Sequence, residues 1–156
     1  MFMDLVGLSS ILIITLFVFV IAKTNRPLAL ILFVALGVRI FGIFINQHFM
    51  LLPDSMGDAT RFEARAHEWS QGGLIDALSH YPGFSSFFIS WLISILYSLF
   101  GQSELMAQSV SLFFGVGTVF LGSKVAEKIW DNRTGKKAGW MLALFPTLIL
   151  YSCLIL

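Results

Sequence analysis

Four nearly continuous apolar stretches dominate this chain, at about 5–22, 28–50, 105–123 and 138–156. A stretch of about 20 apolar residues coiled as a helix matches the hydrocarbon thickness of a bilayer, because each residue adds about 1.5 Å of rise. Composition agrees: 57% of residues are hydrophobic and 12% charged, where a soluble domain carries about 25% charged residues. The expected fold is therefore all-α, a multi-pass transmembrane helical bundle. The opening MFMDLVG holds an acid and no base, unlike the positive start of a cleaved signal, so the first stretch is expected to stay as an anchor. Cys153 is the single cysteine, which excludes an intramolecular disulfide.

A fifth stretch, GFSSFFISWLISILYSLF at 83–100, is borderline, and charge decides its place. Lysine and arginine collect on the cytoplasmic side of membrane proteins. Lys23 and Arg26 lie between the first two spans, and residues 124–137 carry five bases against two acids. Residues 51–104 carry two bases, Arg61 and Arg65, against six acids. Both basic segments share a side only if 83–100 does not cross. The expectation is a large extracytoplasmic loop at 51–104, with amphipathic juxtamembrane helices at about 58–70 and 84–100. Ser86, Ser90, Ser94 and Ser98 recur every four residues. Such a polar stripe suits a helix half sunk in the interface, and the same small residues also serve close packing between helices.

Within the loop, PDSMGDATRFEARAHEWSQGG (53–73) is a dense island of charge between apolar stretches. Coiled as a helix, it places Asp58, Phe62, Ala66 and Trp69 on one face and Arg61, Arg65 and Glu68 on another. Phe62 and Trp69 are then expected to dip into the lipid boundary, where amphipathic aromatics settle. That would hold Asp58 at the membrane surface, in the first turn of the helix.

GDATRFEARAHEWSQGG resembles the first outer loop of GT-C glycosyltransferases, the polyprenyl-phosphate-sugar-dependent kind that includes protein mannosyltransferases and lipid A aminoarabinose transferases. The shared features are an acid before alanine (Asp58-Ala59), an aromatic (Phe62), an alanine (Ala66) and a small-residue break (Gly72-Gly73). HYPGFSSFFISWLISILYSLFG, VAEKIW and GWMLALFPTLILYS resemble the family's Tyr-Pro-Pro turn, basic cytoplasmic turn and Phe/Ser-Pro span. The likeness runs over about 28–156. Gly83 stands where the family commonly has a second proline, and Phe62 where it has a tyrosine. The family continues past YSCLIL into another acidic outer loop and further spans, so the resemblance implies the amino-terminal part of such an enzyme.

That resemblance implies transfer of a sugar from a polyprenyl-phosphate donor to an acceptor hydroxyl, on the extracytoplasmic face of a bacterial inner membrane. It makes Asp58 the catalytic base. A surface carboxylate can take the proton of a hydroxyl attacking the anomeric carbon, and polyprenyl phosphate leaves readily. Candidate substrate-binding residues are Arg61, Arg65, His80, Tyr81 and Arg39, the arginines through their fork of donors to phosphate. A divalent metal held by Asp54 and Asp58, with His67 and His80 near, is a further option, although the spacing matches no strong ligand pattern.

Each residue also has a plainer role. Asp58 after Gly57 is a natural helix N-cap, and Asp54 after Pro53 a turn former. Arg61 and Arg65 can simply be solvated, or paired with Asp58 and Glu68. Arg39 lies mid-stretch, where an unpaired charge costs ~2.5–3.5 kcal/mol, so it is expected to face other helices and to meet an acid or a lipid phosphate. GVGTVFLG (115–122) lacks the GxGxxG spacing, so its glycines are read as packing residues. Two other functions fit these features: an envelope polysaccharide polymerase of the O-antigen type, and a non-enzymatic membrane scaffold whose acidic helix docks a partner. Nucleic acid is not an expected partner, because the bases are divided between the two sides.

Overall fold

The computed structural model describes residues 2–49 and 57–155, with side chains from residue 5 onward. Its elements are α1 (Phe2–Thr24), a 3₁₀ turn (Arg26–Leu28), α2 (Ala29–His48), α3 (Asp58–Ser70), α4 (Leu74–Ser79), α5 (Phe88–Phe100), α6 (Glu104–Ile129), α7 (Asn132–Leu144) and α8 (Pro146–Cys153). No strand occurs among the described residues.

Local chemistry sets these boundaries. Pro27 opens the turn between α1 and α2, where its missing N–H costs nothing. Ser103 starts α6 by accepting the N–H of Met106 at 3.3 Å. Asp131 starts α7 by accepting the N–H of Thr134 at 2.6 Å. These hydrogen bonds hold the Asp131 carboxyl below its ordinary range. Gly101 ends α5 at φ +86°, a left-handed conformation that glycine adopts without strain.

Among the described residues, three helices are long and apolar enough to cross a membrane: Leu5–Thr24, Arg26–His48 and Glu104–Ile129. The stretch 138–156, read as a fourth single span, is not one helix. Phe145 is extended between α7 and α8 (φ −69°, ψ 116°). The cause is Pro146, which has no N–H and whose ring clashes with the carbonyl four residues back, that of Leu142.

α6 is the axis of the bundle and packs on α1, α2, α7 and α8. Its core includes Val18, Leu32, Ala35, Leu36, Leu112, Val119 and Ala143. α7 approaches α6 closely because Gly135 faces it: a Cβ there would lie 2.7 Å from that of Glu127. Of the glycines in 115–122, Gly115 and Gly122 meet neighbouring side chains of α8 and α7, whereas Gly117 has open space.

A second apolar cluster fastens α3 and α5 to the end of this bundle. It joins Ala59 and Ala66 of α3 with Ile93 and Tyr97 of α5, Met106 and Ala107 of α6, and Leu154 beyond α8. The serine stripe lies inside this contact. Ser90 and Ser94 are 0% exposed, and the Ser90 hydroxyl donates to the Phe62 carbonyl at 2.9 Å. Ser90 and Ser94 thus lie on the face that α5 turns toward α3, whereas Ser98 is half-buried and Ser86, which precedes α5, is exposed. Small side chains on both helices let the backbones approach.

Candidate functional site

The site is built on α3. Its buried stripe is Ala59, Phe62, Ala66 and Trp69, with Ala59 and Ala66 7% and 0% exposed. Asp58 is the first helical residue, following Gly57 at the N-cap position. Its carboxylate is 66% exposed and faces Arg61 Nη1 at 3.9 Å. The N-cap position falls on Gly57 rather than on Asp58. The helix presents its acid outward in the same turn as a base.

Phe62 and Trp69 are half-buried parts of an aromatic cluster. Phe62 meets Phe87 edge-on at 5.6 Å. Trp69 stacks on His80 at 5.4 Å and meets Phe87 at 6.4 Å. The Arg65 guanidinium covers Phe87 and Trp69 at 5.6 and 5.9 Å and donates to Glu68 Oε2 at 3.2 Å. His80 Nδ1 lies 2.8 Å from the Asp76 carbonyl. Tyr81 stands edge-on to Trp91 at 4.9 Å. The structure thus brings Arg65, His80 and Trp69 together, while Asp58 and Arg61 sit about two turns away along α3. Gly83, beside this cluster, has φ +67°, which proline, fixed near −65°, cannot adopt.

Asp54 lies outside the described residues. Among the described ones no three His, Cys, Asp or Glu side chains converge to hold a metal ion.

Arg39 is 0% exposed and meets none of α3 to α5 in its hydrogen bonds. Its Nε donates to Ser152 Oγ at 2.9 Å. Nη1 donates to the carbonyls of Ala35 and Ala143 at 3.0 and 3.1 Å, and Nη2 to that of Leu142 at 3.4 Å. The expected acid or phosphate partner is replaced by the carbonyls that the Pro146 break leaves open. A cation at the C-terminal end of α7 is also favoured by the helix dipole. Gly115 makes the room, since a Cβ there would stand 3.1 Å from Arg39 Nε.

A polar network joins the ends of four helices. Glu63 Oε1 accepts from Tyr97 Oη at 3.3 Å and Gln102 Nε2 at 3.2 Å. Gln108, 1% exposed, donates to Glu104 Oε1 at 3.3 Å and accepts from Gln47 Nε2 at 3.1 Å. Burial foremost, then the charge and hydrogen bond of Glu63 and the charge of Glu104, raise the Tyr97 phenol above its ordinary value. Sequence reasoning missed this group. A signal existed: Glu63 falls between Ala59 and Ala66 at helical spacing, on the buried stripe.

No family model, no curated protein and no solved structure matches the chain. The chemistry of the site therefore carries the functional reading.

Proposed function

We propose that this chain is a membrane glycosyltransferase module of the GT-C type, transferring a sugar from a polyprenyl-phosphate donor to an acceptor hydroxyl. The observation that carries the reading is the Asp58–Arg61 pair, exposed on a helix that is itself fastened to one end of the spanning bundle. A lipid-linked donor keeps its tail in hydrocarbon and its phosphosugar at the surface, at the level of such a helix. The Asp58 carboxylate takes the proton of the acceptor hydroxyl as its oxygen bonds to the anomeric carbon. The bond from that carbon to the phosphate oxygen breaks, and polyprenyl phosphate departs with the electron pair. Arg61 offers its fork of donors to the leaving phosphate. Arg65, held over Phe87 and Trp69, is the second cation within reach of the same surface.

In this reading the acidic loop is extracytoplasmic, and the bacterial inner membrane is the location. The sugar-bearing lipid and bulk membrane lipid are the partners, and metal is not required by the step described. Asp58→Asn tests it. The variant keeps nearly the same volume, and asparagine suits a helix N-terminus about as well as aspartate. Sugar transfer from a polyprenyl-phosphate donor is expected to fall ~10²–10⁴-fold, the usual contribution of a positioned general base. Membrane insertion should be unchanged. Transfer at the wild-type rate in Asp58→Asn refutes the assignment.

A further inference from the structure

We infer that the basic end of the bundle binds the phosphate headgroups of anionic phospholipids. The 3₁₀ turn carrying Arg26 packs against α7. Two basic segments far apart in the chain, Lys23–Arg26 and Lys124–Lys137, therefore form one patch. Together they hold seven bases against two acids.

The two acids leave the patch with a net charge of +5. Glu127 is taken by Lys124 at 2.9 Å, and Asp131 is engaged by the Thr134 N–H as the cap of α7. Lys23, Arg26, Lys128, Arg133, Lys136 and Lys137 are all exposed. None of these six has an acid within 4.0 Å among the described residues. Six exposed cations converging on one end create a positive field that attracts a polyanionic partner.

The surroundings of the patch select the kind of anion. Trp130 is 70% exposed and Trp140 36% exposed, and indoles settle at the headgroup level of a bilayer. Val125, Ile129 and Met141, also exposed, continue the patch into an apolar surface. A ligand in which phosphate is joined to acyl chains meets both surfaces at once. Free phosphate or a nucleic acid meets only the first. The inference is independent of sugar transfer and of Asp58.

The experiment uses the full chain in detergent, competed with phosphatidylglycerol against phosphatidylcholine, with retained lipid read by native mass spectrometry. The wild type is expected to retain phosphatidylglycerol preferentially. Each base near a lipid surface is worth about fivefold in affinity, so Lys136→Gln with Lys137→Gln should cut the preference about 25-fold. Raising salt from about 0.1 to 1 M shrinks the screening length from about 10 to 3 Å and should collapse the preference. Circular dichroism establishes that each variant is folded. An unchanged preference in the Lys136/Lys137 variant overturns the inference. So does a preference that survives salt, or one abolished by inorganic phosphate at equal phosphorus concentration, which would mark a free-ion site.

Discussion

Replacing Arg39 with leucine removes a charge and four hydrogen bonds from the middle of the bundle, and the two effects oppose each other. Within hydrocarbon the charge itself costs ~2.5–3.5 kcal/mol, which the variant recovers. Against this, the carbonyls of Leu142 and Ala143 lose the donors that reach them from Arg39. A buried acceptor without a partner costs about 1–3 kcal/mol. The sum lies within a few kcal/mol of zero, so the single variant discriminates poorly.

A double-mutant cycle with Pro146→Ala discriminates well. Alanine at 146 supplies the missing N–H and lets the turn close, so Leu142 finds a donor within its own helix. The desolvation of Arg39 is common to both backgrounds and cancels. What remains is the carbonyl that Arg39 satisfies only because of the proline. The coupling should be about 1–2 kcal/mol, between the average hydrogen bond measured inside membranes, about 0.6, and a fully orphaned carbonyl. Unfolding free energies of wild type, both singles and the double, followed in micelles by tryptophan fluorescence, give it directly. Arg39→Leu should cost less in the Pro146→Ala background. Additivity within about 0.5 kcal/mol would refute the account of Arg39 as a cap on the broken helix.

Gly115→Ala places a Cβ 2.6 Å from Ser152 Oγ and 3.1 Å from Arg39 Nε, and overpacking of this kind costs about 1–3 kcal/mol. Adding Ser152→Gly should recover most of that loss in thermal melts, and no recovery would show that the crowding lies elsewhere. Tyr97 gives a pH signature. Its phenol is raised by burial and by Glu63 and Glu104, so the unfolded chain ionises first, near the ordinary value of about 10. The stability it confers is fully present below about pH 10 and is lost as pH rises beyond, at up to about 1.4 kcal/mol per unit. Unfolding curves between about pH 9 and 11 should be visibly flatter in Tyr97→Phe, and equal slopes would exclude a raised phenol.

The helical class and the long apolar helices were legible, because length and unbroken apolar character leave a chain few alternatives. The serine stripe was legible as a period but not as a direction. A repeat of four serves a polar face turned to water and a small face turned to a helix equally well. Ala59 and Ala66 on α3 decide between them, and that partnership is tertiary. The same holds for Arg39. A rule that a buried charge seeks an opposite charge points to an acid or a phosphate. Pro146 opens Leu142 by a purely local rule, but that Arg39 lies against it, 103 positions away, is visible only in the fold. Glu63 was legible and overlooked, since the dense charge around it drew attention to the exposed face instead.

The break at Pro146 has a consequence for how the bundle is assembled. α7 and α8 have 13 and 8 residues, about 20 and 12 Å, each shorter than the hydrocarbon core of about 30 Å. Open carbonyls cannot be left facing lipid, so in a bilayer this pair of half-helices has no stable resting place by itself. Its donor is on α2, which emerges from the ribosome long before it. Synthesis therefore delivers the guanidinium first and the broken segment afterwards, into a slot already lined by α2 and α6. The slot acts as a template, and the carbonyls at the kink find their donor only once α2 has seated.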